Sequence, residues 1–252
     1  MRIALLSTLR SRAGLAVLAS CAAAGCADAG ASDATSSTAP IVGGAATSAF
    51  PAVGAFVRFH KSFSTGTVIA PRAVLTAAHC LPGGFMAQLT TFNLGPVAST
   101  APRRIAIARS VPHPAYDRET LLNDIGVAIL AEDAGVVPVA MLDAPMDEGW
   151  VARALELVGY GVTNLESGEG GGRKRTITIP ISEVRPLQVV YDHDLGSACV
   201  GDSGGPALFH DPAHGTVIAG VTSHGDTACS GWGVETRVDP YVAFVREAVA
   251  AP

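Results

Sequence analysis

The stretch ACVGDSGGPALF, residues 198–209, decides how the chain is interpreted. Ser203 lies within Gly-Asp-Ser-Gly-Gly, which formally fits the G-x-S-x-G pattern of a nucleophilic serine on a strand-to-helix turn. That pattern is weak on its own, because a glycine-rich chain produces it by chance. Here Gly-Gly-Pro and a strand-like Ala-Leu-Phe follow the serine. We therefore expect a nucleophile between two strands rather than at the start of a helix.

Two further residues with catalytic chemistry precede the serine. His79 lies in LTAAHC and Asp124 in LLNDIGVAIL. A serine hydroxyl attacks a carbonyl effectively only if a base accepts its proton, and imidazole does so near neutral pH. A buried carboxylate can hold the other ring nitrogen of that imidazole. The sequence therefore predicts a catalytic triad of His79, Asp124 and Ser203.

The order of these motifs is typical of one enzyme family. Together with IVGG at 41–44 and GVTSHG at 220–225, they resemble the trypsin/chymotrypsin family of serine endopeptidases over nearly all of 41–252. The resemblance implies an all-β fold of two six-stranded antiparallel β-barrels with a C-terminal helix. It also implies hydrolysis of protein or peptide substrates through an acyl-enzyme. An inactive homologue that serves as a binding module, and an esterase on the same fold, are the alternatives.

The rest of the chain independently favours β-structure. Short apolar runs broken by Gly and Pro, such as 52–59 and 215–223, predict an antiparallel barrel or sandwich. One helix is predicted at about 239–250, with Asp239 as its cap. The glycine- and charge-rich segment 164–175 is predicted to be an exposed loop.

The resemblance assigns further roles around the triad. The backbone N–H groups of Gly201 and Ser203 would form the oxyanion hole, and Ser223 would hydrogen-bond Asp124. Ser197 would form the floor of the primary specificity pocket, with Gly225 and Gly233 as its walls. A serine floor and two small walls imply an open slot for a large apolar or aromatic side chain.

Two residues depart from the family pattern near this pocket. Glu235 stands where relatives usually have tyrosine, and two interpretations remain open. Its carboxylate either faces solvent or pairs with Arg237, or it enters the pocket and favours basic substrate residues. His224 stands where many relatives have tryptophan, which alters the wall along the substrate backbone.

The resemblance also bears on three of the five cysteines. It implies a disulfide between Cys199 and Cys229. The family partner of Cys80 would lie at position 64, which is Ser64 in this chain. We therefore expect Cys80 to be a buried free thiol.

The N-terminal forty residues are interpreted as targeting and tether segments. Residues 1–20 read as an export signal, and 21–40 as a flexible tether or propeptide without large apolar side chains. LASC at 18–21 resembles a bacterial lipobox, which predicts a lipid on Cys21, and Cys26 is a second candidate. An ordinary secretory signal without an anchor is the alternative. The expected location is an exported, membrane-anchored lipoprotein of a bacterial cell, or a secreted protein.

The tether leads to a possible activation site. Cleavage before Ile41 would free an ammonium group, which by resemblance would pair with Asp202. Relatives usually have Arg or Lys before the cleaved bond, whereas this chain has Pro40. Either a protease with a different preference from a trypsin-like enzyme cleaves this bond, or the uncut form is active by another route.

Composition excludes several other functions. Charged residues make up 15% of the 252, and the net charge is −5, so the chain lacks the basic field of a nucleic-acid-binding protein. No uninterrupted apolar run reaches the roughly 18 residues of a spanning helix. Since no His, Cys or acidic cluster has metal-ligand spacing, we expect neither metal nor cofactor. The protein is expected to be a monomer that contacts membranes only through a lipid.

Overall fold

The computed structural model describes Ile41 and residues 44–192, 194–213 and 215–251. The predicted export signal, the tether, Cys21 and Cys26 lie outside the described residues. In chain order the strands are β1 (Ala45–Ala46), β2 (Val53–Arg58), β3 (Lys61–Ala70), β4 (Ala73–Thr76), β5 (Thr90–Leu94), β6 (Arg103–Pro112), β7 (Gly126–Leu130), β8 (Ala140–Met141), β9 (Ala154–Gly159), β10 (Arg175–Pro180), β11 (Glu183–Val184), β12 (Gln188–Asp192), β13 (Pro206–Asp211), β14 (Gly215–Gly225) and β15 (Trp232–Arg237).

Six of these strands close into a barrel. The order is β2-β3-β4-β7-β6-β5, and β2 pairs with both β3 and β5, so the sheet has no free edge. Phe56, Phe92 and Ile105 are fully buried in its interior. Their β-branched and aromatic side chains suit the pleated inner face, which explains why these short runs form strands.

The remaining nine strands form a second antiparallel sheet, apart from one parallel pair. Eight run in the order β1-β10-β9-β13-β14-β15-β12-β11, and β8 pairs in parallel with β14. Its inner face buries Trp150, Leu157, Val189 and Tyr191, together with the side chain of Ile41. The all-β class and the closed six-stranded barrel are confirmed, and the second unit is a nine-stranded sheet.

The C-terminal helix is confirmed, but it begins later than predicted. A short 3-10 turn, Asp239–Tyr241, precedes helix α2 (Val242–Ala250), whereas α1 (Phe85–Gln88) is a single turn. Asp239 does not cap α2. Its carboxylate instead accepts hydrogen bonds from Arg237 and from the N–H of Met146. The carboxylate of Asp239 therefore forms the buried ion pair with Arg237 instead of capping the helix.

The predicted exposed loop 164–175 is only partly exposed. Its last two residues, Lys174 and Arg175, are buried at the start of β10. Lys174 Nζ donates to the carbonyls of Ala49 and Phe50, and burial lowers its pKa to about 8. Lys174 thus ties the sheet to the segment that precedes β2, Arg175 binds carbonyl groups of the connection between β9 and β10, and neither faces solvent.

A shared core joins the barrel, the sheet and α2. Leu75 of β4, Val158 of β9 and Val245 of α2 belong to one buried cluster. The loops that follow β4, precede β7 and precede β13 therefore converge at this junction. In the described residues no helix is long and apolar enough to cross a membrane.

Candidate active site

His79 and Asp124 are joined across the barrel end. His79 lies in a 3-10 turn directly after β4, and Asp124 lies two residues before β7. The imidazole Nδ1 is 2.7 Å from Asp124 Oδ2, and the backbone N–H of His79 donates to Oδ1 at 3.0 Å. Ser223 Oγ donates to Oδ2 at 2.6 Å. The fully buried carboxylate is therefore satisfied by three donors, which fixes the ring of His79.

This environment shifts the protonation of His79. Burial lowers its pKa, but the hydrogen bond to Asp124 and the neighbouring Cys80 sulfur outweigh burial. The net result is a pKa above the ordinary value for histidine. A carboxylate beside an imidazole stabilises the imidazolium, as a general base requires after it has accepted a proton.

Ser203 lies in the turn between Cys199 and β13. This turn contacts the end of β4 and the segment that leads to His79. Gly204 has φ +81°, and a Cβ there would lie 2.0 Å from Thr76 Oγ1 and 3.1 Å from the amide nitrogen of Ala77. Only glycine permits this approach. No hydrogen bond joins Ser203 Oγ to the imidazole of His79 within the described ranges.

Two backbone donors beside Ser203 are unused. The N–H groups of Gly201 and Ser203 make no hydrogen bond to any described residue, whereas those of Asp202, Gly204 and Gly205 do. Gly201 has φ +101°, which places it in the region that favours glycine. Free N–H groups of this kind can donate hydrogen bonds to a developing oxyanion.

The first barrel holds this loop through two residues that the sequence analysis did not assign to the site. Ser64 Oγ donates to the carbonyl of Ser203 at 2.8 Å, and the Thr65 N–H donates to the same carbonyl at 2.9 Å. Thr65 Oγ1 donates to the carbonyl of Gly201 at 2.8 Å. Ser64 was recognised only as the position that lacks a cysteine, and nothing local in the sequence marks Thr65.

The cysteines have the predicted states. Cys199 and Cys229 form a disulfide that ties the Ser203 loop to the connection between β14 and β15. Cys80 is buried and is the only free cysteine among the described residues. Its sulfur lies 3.4 Å from Nε2 of His79, so the free thiol contacts the ring nitrogen opposite Asp124.

A cleft of about 280 Å³ opens beside Ser203. Its lining includes Ala198, Val200, Thr222, His224 and Gly225. A larger groove of about 590 Å³ lies elsewhere, between β-strands of the barrel and the C-terminus, and contains no triad residue. The smaller cleft, which contains Ser203, is therefore the candidate substrate site.

Three of the four predicted pocket residues do not line this cleft. Ser197, Gly233 and Glu235 are absent from its lining, and Ser197 and Glu235 are buried. Tyr191 lies against two of them. Its hydroxyl is 3.3 Å from Ser197 Oγ, and a Cβ on Gly233 would lie 2.1 Å from the same hydroxyl. Sequence analysis missed Tyr191, because only the register of β12 against β15 brings it opposite Gly233.

Glu235 is a buried carboxyl group without a hydrogen-bond partner. It is 1% exposed, and neither of its carboxyl oxygens forms a hydrogen bond in the described part of the chain. Burial raises its pKa to about 8, while Thr222, its cross-strand neighbour, opposes the rise without reaching hydrogen-bond geometry. It neither faces solvent nor pairs with Arg237, which binds Asp239 instead.

Asp202 and Ile41 are both buried, as an activation ion pair would require. Asp202 accepts the N–H groups of Gly161 and Cys199 at 2.7 and 2.9 Å. Burial raises its pKa to about 6, against these two bonds and the charge of Arg175. No described cation lies within 4 Å of its carboxylate.

His224 extends the network from the triad to the cleft. Its Nδ1 lies 3.1 Å from Ser223 Oγ, and its ring packs edge-on against Trp232 at 6.1 Å between centroids. Since Ser223 donates its proton to Asp124, His224 Nδ1 must donate to Ser223. Burial lowers the pKa of His224.

Comparison with known proteins agrees with this geometry. Residues 41–245 match the family described as Trypsin. Chymotrypsin of Phaedon cochleariae is 31% identical over 72% of this chain and 70% of its own length. Melanization protease 1 of Drosophila melanogaster is 30% identical over 74% of this chain, and trypsin of Saccharopolyspora erythraea is 26% identical over 76% of this chain and 88% of its own length.

The chain spans somewhat less than three fifths of some of these relatives. The matched share is 58% of Melanization protease 1 and 59% of Phenoloxidase-activating enzyme 1 of Spodoptera litura. The family match, by contrast, covers well over half of the present chain and includes His79, Asp124 and Ser203. The chain therefore belongs to the trypsin family of serine proteases.

Proposed function

We propose that this protein is an active serine endopeptidase that cleaves proteins or peptides through an acyl-enzyme. The observation that carries the proposal is the buried Asp124 carboxylate, held by Ser223 and bonded to His79 Nδ1 at 2.7 Å. Burying such a charged pair is costly unless several hydrogen-bond donors compensate each desolvated charge. The unused N–H groups of Gly201 and Ser203 add support.

In this mechanism Ser203 Oγ attacks the substrate carbonyl while Nε2 of His79 accepts the hydroxyl proton. Asp124 holds the ring through Nδ1 and stabilises the imidazolium. The N–H groups of Gly201 and Ser203 stabilise the negative oxygen of the tetrahedral intermediate, and each such donor contributes roughly 10²–10³ in rate. His79 then protonates the leaving amine, and a water molecule releases the acyl group by the same steps in reverse.

A fluorophosphonate probe tests this proposal together with peptide hydrolysis. We expect labelling at Ser203 and turnover of peptide substrates, both lost in Ser203→Ala and retained in the exposed control Ser230→Ala. Labelling without any peptide turnover, but with ester turnover, would favour the esterase. If Ser203 is not labelled in the processed protein, the inactive binding module is the better description.

The binding-module alternative has one observation in its favour. No hydrogen bond joins Ser203 to His79, and Nε2 contacts Cys80 instead. Catalytic hydrogen bonds are often formed only when substrate is bound, so this geometry is compatible with activity. The probe experiment distinguishes the two directly.

We further propose that cleavage before Ile41 activates the protein. The buried side chain of Ile41 and the buried carboxylate of Asp202, which has no cation within 4 Å among the described residues, support this step. A new ammonium at Ile41 would supply the missing charge, and removing one partner of such a buried pair costs about 3–5 kcal/mol. N-terminal sequencing of active protein tests it: a chain that begins upstream of Ile41 would contradict cleavage.

Export and lipid attachment at Cys21 remain proposals from the sequence. The lipobox-like segment LASC supports them. Palmitate labelling that is lost in Cys21→Ser would support the anchor at this residue. Labelling that persists would shift the proposal to Cys26, and its absence from the wild type would favour a secreted protein.

A further inference from the structure

Tyr191 occupies the space into which a deep specificity pocket would extend. It belongs to β12, where it pairs with Gly233 of β15. A Cβ on Gly233 would lie 2.1 Å from the Tyr191 hydroxyl and 2.2 Å from the ring carbon that carries it. The end of the phenol ring therefore rests directly on the backbone of Gly233.

The phenol ring is fixed in this position. The hydroxyl accepts a hydrogen bond from the N–H of Ala198 at 3.0 Å and lies 3.3 Å from Ser197 Oγ. Ser197 Oγ in turn donates to the carbonyl of Ala198 at 3.0 Å. Tyr191 is 3% exposed within the core of the sheet. Moving the ring would break these bonds and open a cavity, and both changes destabilise the folded protein.

The cleft beside Ser203 reaches neither Tyr191 nor the two predicted pocket residues that Tyr191 contacts. Ala198, Thr222 and Gly225 line it, but Ser197 and Gly233 do not. A substrate side chain that enters next to Ser203 therefore meets small residues and the disulfide before it could reach the predicted floor.

Glu235 lies on the same face of the sheet as the Tyr191 ring. Side chains two residues apart on a strand share a face, so Glu235 and Gly233 of β15 point the same way. Val189 and Tyr191 of β12 pair with them in register, and the charge of Glu235 acts on the Tyr191 hydroxyl. The buried carboxyl of Glu235 thus lies on the same face of the sheet as Gly233, beside Tyr191, and is absent from the lining of the cleft.

We propose that Tyr191 sets the depth of the specificity pocket, so that the enzyme accepts short apolar side chains, such as Ala and Val, at the residue whose carbonyl is attacked. Aromatic and basic side chains are excluded by the ring. Glu235 is a masked acidic site that a substrate reaches only if the ring is removed. This inference rests on the proposed peptidase function.

Two variants and a substrate series test the inference. The substrates share one sequence and differ only in Ala, Val, Phe or Lys at the cleaved residue. For the wild type we expect kcat/KM to be at least tenfold higher with Ala or Val than with Phe or Lys. Tyr191→Ala should raise the Phe-to-Ala ratio at least tenfold and should permit cleavage after Lys. Adding Glu235→Gln should abolish the cleavage after Lys and leave that after Phe.

The controls separate size from disruption of the strand. Tyr191→Phe keeps the ring volume, so the preference for short side chains should persist. Val190→Ala changes the neighbouring residue on the opposite face of β12 and should leave the substrate profile unchanged. Thermal melting shows whether each variant is folded.

The outcomes distinguish this inference from the proposed function. Fluorophosphonate titration measures the fraction of protein with a reactive Ser203, and this measurement does not depend on which substrate side chain the pocket accepts. If the titre is complete but the wild type cleaves after Phe or Lys as fast as after Ala, Tyr191 does not limit the pocket and the inference is wrong. This comparison needs only the wild type, so an unfolded Tyr191→Ala does not prevent the decision. If Ser203 does not react, the proposed function fails and the inference falls with it.

Discussion

The thiol sulfur of Cys80 lies 3.4 Å from Nε2 of His79, the ring nitrogen that does not face Asp124. Because this buried sulfur forms no disulfide with any described cysteine, it would compete with Ser203 for this nitrogen in the proposed mechanism. A small thiol reagent such as methyl methanethiosulfonate should slowly inactivate the wild type by placing a methylthio group against the ring. Cys80→Ala should resist inactivation, at a cost in stability of about 1 kcal/mol. The two proteins differ only at residue 80, so equal inactivation of the two would show that Cys80 is not the target.

Ser223 should matter through Asp124 and not through substrate contact. Its hydroxyl is the only side-chain donor to Asp124 besides His79 among the described residues, at 2.6 Å. A hydrogen bond to a charged group contributes roughly 1.5–3 kcal/mol, so Ser223→Ala should lower kcat/KM about 10- to 100-fold. The exposed Ser230→Ala is the matched control. An unchanged kcat/KM in Ser223→Ala would show that the backbone N–H of His79 suffices to hold the carboxylate.

The pH dependence should follow His79. Its pKa is above the ordinary histidine value, and catalysis needs the neutral ring, so the acid limb of kcat/KM should lie above pH 6.5. Asp124→Asn removes the charge that favours the imidazolium and should move the ring pKa to lower pH, while activity falls by about 10⁴. A proton NMR titration of His79 in a Ser203→Ala background measures the shift directly. An acid limb at or below pH 6.5 in the wild type would contradict this environment.

Glu235 should make the protein less stable as the pH rises. The folded protein keeps this carboxyl protonated up to about pH 8, whereas the unfolded chain releases the proton near pH 4.5. Between these values the unfolded state binds fewer protons, so the free energy of unfolding falls with increasing pH. One pKa unit corresponds to about 1.4 kcal/mol, so the loss approaches about 4–5 kcal/mol.

Urea unfolding at pH 5, 6.5 and 8 in a Ser203→Ala background measures this loss without self-digestion. Glu235→Gln should flatten the dependence and be more stable than its parent at pH 8. Asp202 titrates in both proteins, so the difference isolates Glu235. The exposed Glu119→Gln should follow the parent. Parallel curves for Glu235→Gln and the parent would mean that this carboxyl is not held protonated.

Thr65, which belongs to the barrel, should support catalysis by the Ser203 loop of the sheet. Thr65→Val keeps the shape but removes the donor to the Gly201 carbonyl and the acceptor for the Tyr160 N–H. We expect the free energy of unfolding to fall by about 1–3 kcal/mol. We expect kcat to fall about tenfold with little change in KM, because Gly201 would act on the transition state. Thr67→Val is the matched control, since the buried hydroxyl of Thr67 has no partner and its removal should not destabilise the protein. Equal effects of the two changes would exclude a specific role for Thr65.

The sequence predicted those parts of the site that depend on short motifs. His79, Asp124 and Ser203 each lie in a local pattern, and the pairing of Cys199 with Cys229 followed from the family resemblance. Tyr191 could not be found in this way, because its contact with Gly233 depends on the register of two strands about forty residues apart. A shift of one residue would turn the ring to the other face of the sheet.

The burial of Lys174 and Arg175 was missed for a related reason. Both end a segment rich in glycine and charge, which locally favours an exposed loop. The distant carbonyl groups of Ala49 and Phe50 receive Lys174 instead, and the carbonyl of Gly170 within the folded loop receives Arg175. Only the folded arrangement supplies these acceptors.

The bonds from Ser64 and Thr65 to the Ser203 loop also have a consequence for the order of events during synthesis. These donors belong to β3 of the barrel, whereas the nucleophile belongs to the sheet, which leaves the ribosome later. A nascent or half-folded chain therefore lacks the restraint that orients Gly201 and Ser203, even though both residues are present. Docking of the barrel against the sheet would therefore have to precede proteolytic competence, in addition to the proposed cleavage before Ile41.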